Sequence, residues 1–80
     1  MMPATSRTPV GDMIRHFRNA AGMTQEQLAE HAALSVRAIA YLERGAHVPY
    51  PRTLCRLTEA LRLGAEDRAA LVAAYQLAPR

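Results

Sequence analysis

The sequence predicts an all-α domain of five short helices, and three observations carry that expectation. Half of the 80 residues are hydrophobic, yet only Phe17, Tyr41, Tyr50 and Tyr75 are aromatic and there is no Trp. An interior then has to be built from Leu, Ile, Val, Ala and Met, a set that favours helices over a β-sandwich. Apolar residues return at spacings of three and four, and cap or breaker residues separate those stretches at the offsets that helix ends require. The length bounds the result at one domain with one modest core.

The elements follow in order. Residues 1–9, "MMPATSRTP", hold Pro3 and Pro9, no periodicity and Arg7 as the single charge, and read as a flexible N-terminal arm. Residues 10–80 read as the domain. Val10, Ile14, Phe17 and Ala21 recur at helical spacing, with Asp12 in the first turn where the helix dipole favours an acid and Gly22 as the stop. Thr24 caps a second helix from Gln25, and Gln27 stands where a capping box needs it; Leu28, Ala29 and Ala32 make its apolar side. Ser35 caps a third helix, which carries Val36, Ile39 and Leu42 and closes at Gly45. "GAHVPYP" forbids helix until Pro51, which suits a first turn. Leu54, Leu57 and Leu61 make the fourth helix amphipathic, Gly64 breaks it, and "AEDRAALVAAYQL" forms the fifth, with Leu71, Val72 and Tyr75 facing inward.

Helices two and three, joined by about three residues, cross steeply, a crossing that needs a small residue at the contact. Ala29 supplies it. At about 100° per residue and with Ile39 taken as the centre of the inner face, Ser35, Val36, Leu42 and Glu43 fall within about 60° of it, while Arg37, Tyr41 and Arg44 lie on the far side. An acid on the inner face needs a partner. The same wheel puts Arg18 beside Val10, Ile14 and Phe17, so a salt bridge between Arg18 and Glu43 is expected across the core.

"TQEQLAEHAALSVRAIAYLERG", Thr24 to Gly45, resembles the helix-turn-helix of the phage repressor and Cro-like family, also called the xenobiotic-response-element (XRE) family. The resemblance covers about residues 10–78. It is carried by Thr24-Gln25, Leu28-Ala29, the Ser35 cap, Ile39, Leu42 and the closing Glu43-Arg44-Gly45, and the family's paired Arg and Glu fall on Arg18 and Glu43. It implies a five-helix, lambda-repressor-like DNA-binding domain of a bacterial-type transcriptional regulator, with residues 35–44 as the recognition helix in the major groove of double-stranded DNA. Ser35, Val36, Arg37 and Tyr41 then face base edges, with Arg37 suited to guanine and Val36 to a thymine methyl, although Val36 has an equal claim to the core. Gln25, at a helix N-terminus, and Arg44 and Arg52, flanking the loop after helix three, are the expected phosphate contacts. The family places Gly in the inter-helix turn where this chain has Ala33, so a left-handed residue there costs roughly 1 kcal/mol.

Charge and composition set the remaining expectations. Ten arginines and no lysine give a net charge of +3, and it is segregated. Residues 35–56 hold Arg37, Arg44, Arg52 and Arg56 against Glu43, whereas residues 57–75 hold Arg62 and Arg68 against Glu59, Glu66 and Asp67. A basic centre suits nucleic acid. Cys55 is the single cysteine, so no internal disulfide forms; it is expected to be partly packed and inert. No signal peptide or apolar run near 18 residues occurs, which reads as cytoplasmic. His16, His31 and His47 lack metal-ligand spacing, and there is no phosphate loop, serine elbow or carboxylate pair in an evident cleft, so no enzyme, cofactor or metal is expected. A module this small needs two copies on half-sites about 34 Å apart, through a homodimer or a missing C-terminal effector domain of a longer regulator. The rival reading is a protein-interaction or antitoxin-like adaptor module on the same fold, using the Leu- and Ala-rich helices four and five.

Overall fold

The computed structural model describes residues 9–46 and 48–77. Five α-helices follow one another: α1 (Pro9–Ala20), α2 (Gln25–Ala32), α3 (Val36–Glu43), α4 (Pro51–Ala60) and α5 (Ala65–Leu77). No strand occurs among the described residues, and none of their helices is long and apolar enough to cross a membrane.

Local chemistry sets where the helices begin. Thr24 and Gln27 form the reciprocal capping box: the Thr24 hydroxyl accepts from the Gln27 amide at 3.0 Å, and the Gln27 side chain accepts from the Thr24 amide at 2.9 Å. The Ser35 hydroxyl accepts from the Ala38 amide at 3.0 Å, and Pro51 opens α4. Each device satisfies or dispenses with an amide that a helix start otherwise leaves unpaired.

The helix ends share one motif. After α1, α2, α3 and α4 the chain turns through a left-handed residue: Gly22, Ala33, Gly45 and Arg62. In each case paired backbone bonds reach back into the last turn, such as Gly22 to Asn19 and Met23 to Arg18, or Ala33 to Glu30 and Leu34 to Ala29. This is the Schellman arrangement that glycine favours. Ala33 adopts φ 59° and ψ 44°, as the departure from the family's glycine anticipates. At the end of α4 the residue that turns is Arg62, φ 55°. Gly64 therefore does not break α4; its carbonyl accepts the Arg68 amide at 2.9 Å and starts α5.

Helix α3 is held between α1 and α2, while α4 packs on α2 and α5 on α1. Ile14, Leu28, Ile39, Leu57 and Leu71, one from each helix, are sealed from water, and each such burial stabilises by about 1.5–3 kcal/mol. Ala29 is buried at the α2 side as expected, and Thr58, buried in α4, turns its hydroxyl onto the Cys55 carbonyl at 2.8 Å.

Several expectations are corrected. Helix α1 starts at Pro9, inside the expected arm, and residues 1–8 lie outside the described residues, as does His47. Ala21 is past the helix end and exposed, because Gly22 turns the chain outward. Val36 is 42% exposed and stands off the core: it is the first residue of α3, and Ile39, Leu42 and Glu43 further along fill the buried side. Cys55 is exposed rather than partly packed, since Leu54 and Leu57 take the inner face of α4 and leave it outside.

The sequence did not flag Gly11. A Cβ there would overlap the Leu42 carbonyl oxygen and lie 3.1 Å from that of Glu43, so α1 reaches the end of α3 only without a side chain. Gly11→Ala is expected to lower unfolding free energy by about 1–3 kcal/mol, as overpacking against rigid backbone does. Ala33→Gly is expected to raise it by about 1 kcal/mol through relief of the left-handed strain. Urea midpoints at unchanged m-value measure both; equal midpoints for the two variants would contradict the reading of both positions.

Candidate functional site

The site is organised from behind by one carboxylate. Glu43 lies on the last turn of α3 and is 1% exposed, where an unpaired charge costs several kcal/mol. Arg18 meets it with two bonds, Nε to Oε2 at 2.6 Å and Nη2 to Oε1 at 3.1 Å, and gives its remaining terminal nitrogen to the Met23 carbonyl at 2.9 Å. The guanidinium thus spans the end of α1 and the end of α3 in a bidentate clasp, the geometry in which such pairs are strongest. Among the described residues no buried side-chain nitrogen or oxygen lacks a partner.

Two further groups converge on the same carboxylate. Gln25 Nε2 donates to Glu43 Oε1 at 3.1 Å, and Arg15 Nε stands 3.9 Å from that oxygen with its side chain 40% exposed. Gln25 is half-buried, and its side chain is held to the end of α3 by Glu43. Sequence reasoning placed Gln25 for phosphate contact alone and missed Arg15 altogether. Arg15 precedes Arg18 by three residues, close to one helical turn, and that spacing was the signal available: two arginines neighbouring on one helix face, both within reach of one acid.

The outer side of α3 carries the other polar groups. Arg37 is exposed, Tyr41 is half-buried, and Arg44 is exposed just past the helix end. The Arg44 guanidinium carbon sits 5.3 Å from the centre of the Tyr41 ring, a cation–π contact that restricts where the charge points. Ser35 is exposed and uses its oxygen as the cap acceptor, which keeps its O–H as a donor. Beyond the loop, Arg52 is exposed in the first turn of α4.

Ser35, Val36, Arg37, Tyr41 and Arg44 therefore lie on one element, and Arg52 on the element after the loop. Between α3 and that loop runs a cleft of about 430 Å³, with Ala38 and Tyr41 on the helix side and Val48, Pro49 and Tyr50 on the other. Arg18 and Gln25 stand behind α3 and, through Glu43 on its last turn, fix its roll.

Known proteins share the fold that carries this site. Residues 10–71 match the family model described as a helix-turn-helix domain. The chain belongs to the helix-turn-helix domain family. The domain resembles the crystal structure of the clp gene regulator ClgR from C. glutamicum, at 25% identity and a TM-score of 0.74, over 98% of this chain and 100% of that one. It also resembles the restriction-modification controller protein C.AhdI from Aeromonas hydrophila, at 27% identity and a TM-score of 0.68, over 74% of this chain and 89% of that one. No curated protein matches it in sequence. The five-helix, phage repressor-like architecture expected of this helix-turn-helix domain is the one it has.

Removing Arg18 tests the clasp. Arg18→Ala leaves Glu43 buried beside only Gln25 and a distant Arg15, and is expected to lower stability by about 3–5 kcal/mol. Thermal melting near the wild-type midpoint would show that Glu43 needs no such partner.

Proposed function

We propose that this helix-turn-helix domain binds double-stranded DNA sequence-specifically as the reading head of a bacterial-type transcriptional regulator, with α3 in the major groove. The observation that carries this reading is the division of α3 into two faces. Its Ile39, Leu42 and Glu43 side is buried and clasped, and its Arg37 side stands in solvent. An exposed helix with a fixed roll, cationic along its outer edge, is the shape and charge that a major groove accepts.

Each residue then has a role set by where it stands. Arg37, exposed on the outer side, makes the bidentate contact to a guanine edge, and Val36, 42% exposed at the helix start, meets a thymine methyl. Ser35 and Tyr41 flank them at the groove walls. Gln25, at the N-terminus of α2 and oriented by Glu43, anchors a phosphate together with the helix dipole. Arg44, steered by the Tyr41 ring, and Arg52 contact phosphates on either side of the loop. Arg15 adds a fourth backbone contact beside Gln25.

The domain measures 34 × 26 × 22 Å, about one half-site repeat of duplex, roughly 34 Å. Two copies on successive half-sites would therefore lie side by side. That supports a dimeric operator complex, assembled by self-association or by a further domain. The two proteins it resembles are a restriction-modification controller and a clp gene regulator, which accords with a regulatory role here and with a non-enzymatic one.

Selection from a random duplex pool, followed by equilibrium binding across salt concentrations, tests the reading. Arg37→Ala is expected to relax preference at one base pair by about 1–3 kcal/mol. Arg44→Ala is expected to weaken binding across sequences and to reduce the salt slope by about 1. Duplex affinity absent at low salt, even for an artificially dimerised domain, would favour the adaptor reading instead.

A further inference from the structure

Tyr50 has no part in the core and none in the helix cap it occupies. It is 80% exposed, it is the N-cap of α4 without forming a side-chain cap bond, and among the described residues no hydrogen bond or ring contact engages its side chain. A single exposed aromatic is ordinary on a protein surface. Its setting is not.

Tyr50 lies between Pro49, which is buried, and Pro51, which opens α4. Pro51 restricts its backbone by confining the residue before it to extended conformations, and Tyr50 is extended at φ −68° and ψ 157°. The ring is therefore presented from a stiff support, with little backbone freedom left to lose on contact. It forms one wall of the cleft whose other wall is Ala38 and Tyr41 of α3. On its opposite side, with Pro51, Arg52 and Thr53, it lines a second open hollow. Tyr50 thus joins the outer edge of α3 to the Arg52 contact along one surface, with Arg44 at one end and Arg52 at the other.

From this continuity we infer that Tyr50 is a further DNA-positioning residue, packing its ring against the deoxyribose of the strand that Arg44 and Arg52 hold by its phosphates. The inference rests on the DNA-binding reading and adds an uncharged, apolar contact to it. Guanidinium contacts alone leave a strand free to slide along the surface; a rigid ring seated against a sugar sets its distance from the loop. The cleft behind the ring gives the contact depth, and its apolar lining suits the carbon face of a sugar rather than a phosphate.

The test compares wild type, Tyr50→Ala, Tyr50→Phe and Arg52→Ala on the duplex that wild type selects, by fluorescence anisotropy over a salt series and with thermal melts of each. Tyr50→Ala is expected to bind roughly tenfold more weakly, with the salt slope and melting midpoint of wild type. Tyr50→Phe, which keeps the ring, is expected to bind within about twofold of wild type, and Arg52→Ala to lose about one unit of slope. Wild-type affinity in Tyr50→Ala, a changed slope in that variant, or a loss in Tyr50→Phe equal to that of Tyr50→Ala each overturns the inference while leaving the DNA-binding reading intact. A wild-type protein that selects no duplex overturns that reading first and this inference with it.

Discussion

A carboxylate taken out of water must be answered on every side, and in this domain Glu43 is that carboxylate. Its partners come from α1 (Arg15 and Arg18) and from the start of α2 (Gln25), while Glu43 itself rides on the end of α3. A buried ion pair contributes little net stability over a well-packed apolar pair of the same volume. What it does contribute is direction. Apolar side chains on α3 would tolerate a modest rotation of the helix, since burial has no preferred angle; two bonds of 2.6 and 3.1 Å to one guanidinium would not. The roll of α3, and with it the outward aim of Arg37, depends on that clasp.

The rest of the fold makes the clasp reachable. Helices α2 and α3 have eight residues each, too few to persist alone in water, so their caps and neighbours hold them. Three residues join them, and Ala33 accepts a left-handed backbone to turn the chain that tightly. Gly11 brings α1 against the carbonyls at the end of α3, the approach that places Arg18 within reach of Glu43. Strain at Ala33 and Arg62 is tolerated because the bonds of each turn and the packing on both sides over-determine the local path.

This arrangement separates tasks within a single helix. One side of α3 is committed to packing and to Glu43, which leaves the opposite side, with Arg37, in solvent. Around it, Gln25 is held by Glu43 at the start of α2, Arg44 lies over the Tyr41 ring and Arg52 is exposed in the first turn of α4. Side chains on the exposed side of a packed helix can change with little effect on stability.

Much of this was legible in the linear order of residues. Caps and turns act within four or five positions, so Thr24, Gln27, Ser35, Gly22 and Gly45 could be placed from local chemistry. The five helices followed from a periodicity that each segment carries by itself, and the α5 span agrees at both ends. Even the Arg18–Glu43 pair was readable, because two opposite charges displaced into apolar faces have one good remedy. Other features depend on which helix meets which, and at what depth. Val36 lies on the inner face of its own wheel yet stands 42% exposed, since a wheel gives the angle around a helix and not how far along it the neighbour extends. Gly11, Arg15 and Gln25 acquire their roles only where α1, α2 and α3 converge on one carboxylate, and Arg62 took the turn expected near Gly64 because packing ended α4 earlier. Local signals specify the elements and their facing sides; close approach, partner choice and depth of burial are properties of pairs of elements, and only the assembled tertiary structure decides them.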